Sequence, residues 1–176
     1  MAGKRQPRKP KGTPPGGQWA ETTAPEGPPL EVVRARQVLD VTEFSRWQDQ
    51  AASATSVARM ASEAGHHEWA CFMAEQAAQI ALKGLLHGVG AEAWGHDLTV
   101  LAQRATQVLG PLWPADLAGP AARLSRHYIP ARYPDAHPSG PPSTHYLASD
   151  AEQALADMAR LMGAVANAWE SLAVGP

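Results

Sequence analysis

The apolar positions of this chain recur at helical spacing in five stretches, and no stretch alternates with the period of two expected of a strand. In the first, about 40–64, Phe44, Trp47, Ala51, Ala54, Ala58 and Ala61 step by three and four residues, which keeps them on one face of a helix. Asp40 or Thr42 supplies a capping oxygen at its start, and Gly65 a stop. A second helix, about 66–88, is apolar or small almost all round, with Glu68, Glu75, Gln79 and Lys83 gathered on one stripe. That pattern predicts a central helix packed on most sides and closed by Gly88 and Gly90. A third helix begins near Asp97, turns Leu98, Leu101, Ala105 and Val108 inward, and breaks at Gly110-Pro111. A fourth, about 115–128, aligns Leu117, Ala121, Leu124 and Tyr128. The proline-rich stretch 130–142 can be neither helix nor central strand. The last helix, about 146–172, carries Ala151, Leu155, Met158, Met162, Val165, Trp169 and Leu172 at steps of four and three. The expectation is an all-α protein: an antiparallel up-and-down bundle of about five helices over residues 38–174.

Residues 1–37 follow no such period. They are rich in Pro, Gly, Lys and Thr, and the first 20 carry Lys4, Arg5, Arg8, Lys9 and Lys11 with no acid. A disordered basic tail is expected there. Trp19 is unusual in such a linker and marks a candidate docking segment.

Charge changes the picture of what this chain can bind. The net value of −2 conceals 8 Lys and Arg against 14 Asp and Glu from Gln37 onward, a net of −6 for the expected folded part. A surface that gripped nucleic acid broadly would be basic, so any such contact is local or belongs to the tail. The single cysteine, Cys71, excludes an intramolecular disulfide and suits a reducing compartment. No apolar run approaches the roughly 20 residues that span a bilayer. The basic start of the chain is not followed by the apolar segment of a secretory signal. A cytoplasmic protein without membrane attachment is expected.

Few groups invite chemistry. Arg132 and His137 stand with four residues between them: a guanidinium is a fixed fork for phosphate oxygens, and an imidazole moves protons near neutral pH. RNA brings its own nucleophile in the 2′-hydroxyl, so these two roles suffice without a metal. The plain alternative pairs Arg132 with Asp135 and leaves His137 as a loop residue; Arg59 and His66 stand at a similar spacing. His67 and Cys71 have the spacing of metal ligands on a helix, but two ligands do not make a zinc site. His96, just before Asp97, reads as a capping or dimer-contact residue. Arg123, Arg126, His127 and Arg132 form the one basic concentration of the acidic part; either the loop after the fourth helix brings Arg132 to the same mouth as Arg123 and Arg126, or these are cations of a solvated helix end, favoured near its C-terminus. No phosphate-binding glycine loop, nucleophile elbow or paired-carboxylate metal motif is present, and no cofactor is expected.

Three segments together resemble the HEPN domain family: Ala74-Glu75-Gln76-Ala77-Ala78-Gln79-Ile80-Ala81-Leu82-Lys83, Gly95-His96-Asp97-Leu98, and Ala131-Arg132-Tyr133-Pro134-Asp135. The resemblance covers roughly 40–172 and departs at Gln79, where the family often has Glu. It implies a small helical bundle acting as a homodimer, in one of three ways. Many members look like metal-independent endoribonucleases with an Arg-x(4–6)-His motif in a shared cleft, often as toxins beside a nucleotidyltransferase antitoxin; that would make Arg132 and His137 catalytic. Others bind nucleotides or RNA phosphates, for which Arg126, Arg132, Tyr133, Lys83 and His96 are the candidates here. Others again serve as non-catalytic interaction subunits. In the ribonuclease members the motif commonly opens a helix, whereas Pro134 and Pro138 forbid a regular helix around His137.

Overall fold

Five α-helices form where the apolar spacing predicts them: α1 (Val41–Glu63), α2 (His67–Gly88), α3 (Leu98–Leu109), α4 (Ala118–Ser125) and α5 (Ala148–Val174). The structure is a computed structural model describing residues 39–174, and it contains no strand among them. The expected tail 1–37, with Trp19, lies outside the described residues.

The caps follow from side-chain chemistry. Of the two candidates at the start of α1, Asp40 is the cap, accepting from the Glu43 amide at 2.8 Å. Both α1 and α2 end in a Schellman turn around a glycine of positive φ. The His66 amide reaches the Ala61 carbonyl past Gly65, and the Ala91 amide reaches the Leu86 carbonyl past Gly90. Gly90 is thus the stop of α2. Gly88 is its last helical residue and serves packing instead, since a Cβ there would meet the Trp169 ring at 2.7 Å.

Helix α2 is the axis of the bundle, packed most extensively on α1 and then on α5. Ala51, Ala54 and Ala58 of α1 are buried against it, and small side chains allow the close approach. Phe44 of α1 and Trp169 of α5 stack at 3.8 Å over the Gly88 end. Leu82, Leu85 and Leu86 of α2, Leu98 and Leu101 of α3, Leu124 of α4 and Met158 and Leu161 of α5 fill the centre, none more than 1% exposed.

Two elements differ from the sequence expectation. The fourth helix is shorter than 115–128: a 3-10 turn, Ala115–Leu117, leads into α4, which ends at Ser125. The amides of Arg126, His127 and Tyr128 then bond three residues back instead of four, the tighter turn common at a helix end. On α5 the expected stripe is joined by a second, Ala154, Asp157, Leu161, Ala164 and Ala168, so the helix is packed on a wider arc than a simple amphipathic one. No helix among the described residues is long and apolar enough to cross a membrane.

Candidate functional site

The polar stripe of α2 does not face water. Glu75 has no exposure, and Glu68 and Gln79 are 6% and 7% exposed. A helix that buries such groups needs partners for them; those of Glu75 and Gln79 come from α2 itself and from one irregular segment, and a second irregular segment lies against the same face. The loop before α3 supplies the His96 carbonyl, which accepts from Gln79 Nε2 at 2.9 Å. Gln79 Nε2 also donates to Glu75 Oε1 at 3.1 Å, and Gln76 Nε2 donates to Glu75 Oε2 at 2.6 Å. Burial pushes the Glu75 carboxyl up to about 7, against the opposing pull of the two amides and of the Arg132 and Lys83 charges. Lys83 is lowered, also by burial, with Glu75 acting the other way.

The second segment follows α4. Asp97 caps α3 through the Thr99 amide at 2.7 Å and accepts from Ser125 Oγ at 3.1 Å, which ties the end of α4 to the start of α3. The chain then turns through Tyr128 and Arg132. Arg132 Nε donates to the Tyr128 carbonyl at 2.7 Å. Its guanidinium carbon lies 4.2 Å from the centre of the Tyr128 ring, 4.8 Å from Phe72 and 5.0 Å from Tyr133. The His96 ring stacks on the same Tyr128 ring at 4.1 Å and 11°. A cation and an imidazole cannot share one ring face at that separation, so Tyr128 is sandwiched between His96 and Arg132. Phe72 and Glu75, three residues apart, share a face of α2, and the Arg132 charge bears on the buried carboxyl. The Arg132 Nη atoms make no hydrogen bond among the described residues, and the side chain is half-buried. Trp69, nearly half exposed, meets Phe72 edge-on and extends the aromatic row. Beside it a shallow cleft of about 170 Å³ is lined by His96, Asp97, Ser125, Tyr128, Ile129 and Pro130.

His137 occupies another part of the same loop. Residues 134–136 form a 3-10 turn and His137 itself is extended, as its flanking prolines require. Its Nε2 lies 2.7 Å from the Pro130 carbonyl, and its ring stacks on His145 at 4.3 Å. A carbonyl only accepts, so Nε2 carries the proton and Nδ1 is the basic nitrogen. Arg132 and His137 are therefore anchored to carbonyls two residues apart, 128 and 130, which limits the intervening backbone to about 7 Å. No hydrogen bond or stacking contact joins their side chains.

Of the residues expected to bind phosphate, Tyr133 lies against Arg132, Arg132 and Lys83 bear on the Glu75 carboxyl by their charge, and the His96 carbonyl holds Gln79. Arg126 stands apart at the exposed C-cap of α4. The single basic mouth expected from Arg123, Arg126 and Arg132 does not form, because Arg123 turns to Asp157 on α5. The pairing of Arg132 with Asp135 is likewise absent. His96 does not cap α3, since the adjacent Asp97 has the side-chain oxygen that reaches the Thr99 amide. No group of three or more His, Cys, Asp or Glu among the described residues is placed to hold a metal ion. Phe72, Glu75 and Tyr128 were not apparent as site residues from sequence; the signal for Glu75 is a carboxylate on a helix with almost no solvent face.

Known proteins share this arrangement of helices. No curated protein matches the chain. Among solved structures, TT1696 from Thermus thermophilus is 38% identical, with a TM-score of 0.67 over 71% of this chain and 97% of that one. ST0689, described as an archaeal HEPN homologue, is 34% identical, with a TM-score of 0.59 over 70% and 94%. A HEPN domain protein of Thermotoga maritima, tm0613, is 26% identical, with a TM-score of 0.58 over 71% and 98%. The family model for the HEPN domain matches residues 44–169, from Phe44 on α1 to its stacking partner Trp169 on α5, and on that match the chain belongs to the HEPN domain family.

Proposed function

We propose that residues 38–174 form a dimeric HEPN module that binds a nucleotide or RNA phosphate at Arg132. The observation that carries this reading is the state of the guanidinium. It lies against the Tyr128 and Phe72 rings and is held at Nε, while both Nη atoms are left without a partner among the described residues. A pre-oriented fork loses little freedom when it meets two phosphate oxygens. Tyr133, 47% exposed, offers a ring for base stacking beside it. The acidic balance of the domain confines the contact to this spot.

Fluorescence anisotropy with a short 2′-O-methyl oligoribonucleotide tests the proposal, since that backbone cannot be cut. Arg132→Ala is expected to abolish binding. Tyr133→Ala should weaken it by about 1–3 kcal/mol, the usual worth of one stacked base. A single phosphate contact on a single strand gives a salt slope near about −0.7. Equal binding by wild type and Arg132→Ala would refute the assignment. Light scattering tests the dimer, and co-purification with a small nucleotidyltransferase tests the toxin–antitoxin setting that the family resemblance implies.

A second reading, a metal-independent endoribonuclease, is favoured by one feature: His137 is held by Nε2 and presents Nδ1 as a base on the loop that holds Arg132. In this reading His137 takes the 2′-hydroxyl proton as that oxygen attacks phosphorus, Arg132 stabilises the phosphorane charge, and the P–O5′ bond breaks to leave a 2′,3′-cyclic phosphate and a 5′-hydroxyl protonated by water. Cleavage of unmodified RNA in excess EDTA, lost in both Arg132→Ala and His137→Ala, is the expected outcome. Absence of cutting by folded wild type leaves the binding module or an interaction subunit.

A further inference from the structure

The Arg132 site is built over a carboxyl that has no contact with solvent. Glu75 shares a face of α2 with Phe72, over which Arg132 lies, and both of its oxygens are held by neutral amides, not by cations. The charges bearing on it are Arg132, from the segment after α4, and Lys83, two turns along α2. The loop before α3 turns its His96 carbonyl to this network, while the His96 ring lies on Tyr128. One buried carboxyl thus feels two cations, one of which still has its donors to offer.

We propose that Glu75 is the positioning residue of the Arg132 anion site, and that filling the site with a phosphodiester draws one proton from solvent onto Glu75. The inference rests on the binding reading above. An incoming phosphate shares the Arg132 charge that an ionised Glu75 depends on, and two anions with no water between them repel. Protonation removes that repulsion. The hydrogen-bond partners suit both states: an amide donates to a carboxylate, and by turning over it offers its carbonyl to a carboxylic acid. Gln76, only half-buried, has room to turn, while Gln79 stays fixed by the His96 carbonyl. An arginine or lysine partner would have locked Glu75 in the ionised form. Through Gln79 the same carboxyl sets the His96 loop, and His96 in turn fixes the outer face of Tyr128 against Arg132. The empty carboxyl already stands close to neutral pH, where this coupling is felt.

Titration calorimetry with a 2′-O-methyl oligoadenylate lacking terminal phosphates tests the coupling, because its phosphodiesters keep one charge from pH 6 to 8. Measured at pH 8 in two buffers of different ionisation enthalpy, wild type is expected to take up most of one proton per ligand, and little at pH 6. The dissociation constant should fall by up to about tenfold between pH 8 and 6. Glu75→Gln should bind at pH 8 about as tightly as wild type at pH 6, with the pH dependence gone. His96→Phe, which keeps a ring on Tyr128, should retain it. Binding without proton uptake, a pH profile that survives in Glu75→Gln, or one lost in His96→Phe overturns the role of Glu75 alone. Absence of binding by wild type at either pH overturns the binding reading, and this inference with it. The proton count on wild type stands even if the Glu75 variant fails to fold.

Discussion

Arg123 on α4 closes a two-point fork on Asp157 of α5, with Nε and Nη2 each 2.7 Å from a carboxylate oxygen. Asp157 is 1% exposed, while the arginine side chain remains 43% exposed and reaches in from the surface. The acid is the vulnerable partner, because a buried carboxylate without its cation has neither water nor counter-charge. Arg123→Ala is therefore expected to lower the melting temperature by several degrees, and Arg123→Lys, which cannot reproduce the fork, by less. The double variant Arg123→Ala/Asp157→Ala should recover part of the loss. Thermal unfolding of the three proteins measures this, and additive losses would refute the pairing argument.

Asp157 also shows how far the chain can be read before folding. The steps of three and four that mark α5 identify Met158 and Val165, both buried, and correctly give a helix. They cannot show that the adjoining stripe through Asp157 is buried as well, because that depends on a cation 34 residues away. The same holds at the candidate site. Arg132, Tyr133, Lys83 and His96 were legible as residue types near a loop. The cage around Arg132 was not, since Phe72 comes from α2, Tyr128 from after α4, and His96 from before α3. Periodicity reports which face of one helix is apolar; it carries no information about which irregular loop covers a polar stripe.

Gly84 sets the spacing of α1 and α2. A Cβ at this position would stand 2.5 Å from Trp47 Cβ and 2.9 Å from Gln48 Nε2. The first neighbour is fixed to the backbone of α1 and cannot swing away. Gly84→Ala gains up to about 1 kcal/mol of helix propensity, but overpacking costs about 1–3 kcal/mol. The separation of two helices has to give, so net destabilisation is expected in urea unfolding. A stabilised variant would mean that α1 shifts freely on α2. Gln48, whose Nε2 donates to the Ala81 carbonyl at 3.0 Å, should lose that bond in the same variant.

Glu75 leaves a signature on stability that needs no ligand. Its folded carboxyl is raised from 4.5 to about 7, chiefly by burial. Between those values the folded chain holds a proton that the unfolded chain has released. The contribution is present in full below about pH 4.5 and is lost as pH rises through 7. A shift of this size corresponds to about 3 kcal/mol. Relative to wild type, Glu75→Gln should thus gain stability on going from pH 5 to pH 8, by up to that amount. Urea midpoints at the two pH values read the difference directly. A constant gap between the two proteins would mean that folded Glu75 is ionised across this range, as it is in the unfolded chain. Asp97, held below the usual range by its hydrogen bonds although burial opposes them, acts in the opposite sense only at lower pH.

Cys71, buried on α2, should be chemically silent while the bundle is intact. It has no exposure, and burial, with the Asp150 and Glu68 charges adding to it, pushes its thiol up to about 12. Only the thiolate attacks a disulfide reagent, and at pH 8 that form is rare even before access is considered. Native protein is expected to leave Ellman's reagent unreacted over hours at pH 8, and guanidinium-unfolded protein to release one thiol per chain within minutes. The residual native rate should rise in Gly84→Ala and Arg123→Ala in proportion to the fraction unfolded. A fast native reaction that ignores these variants would place Cys71 on a local opening of the α2 start, away from global unfolding. The buried start of α2 already contains one unsatisfied group, His67 Nδ1, which has no hydrogen-bond partner among the described residues. His67→Phe should then slow any such local opening, because it removes the unpaired nitrogen while keeping a ring in place.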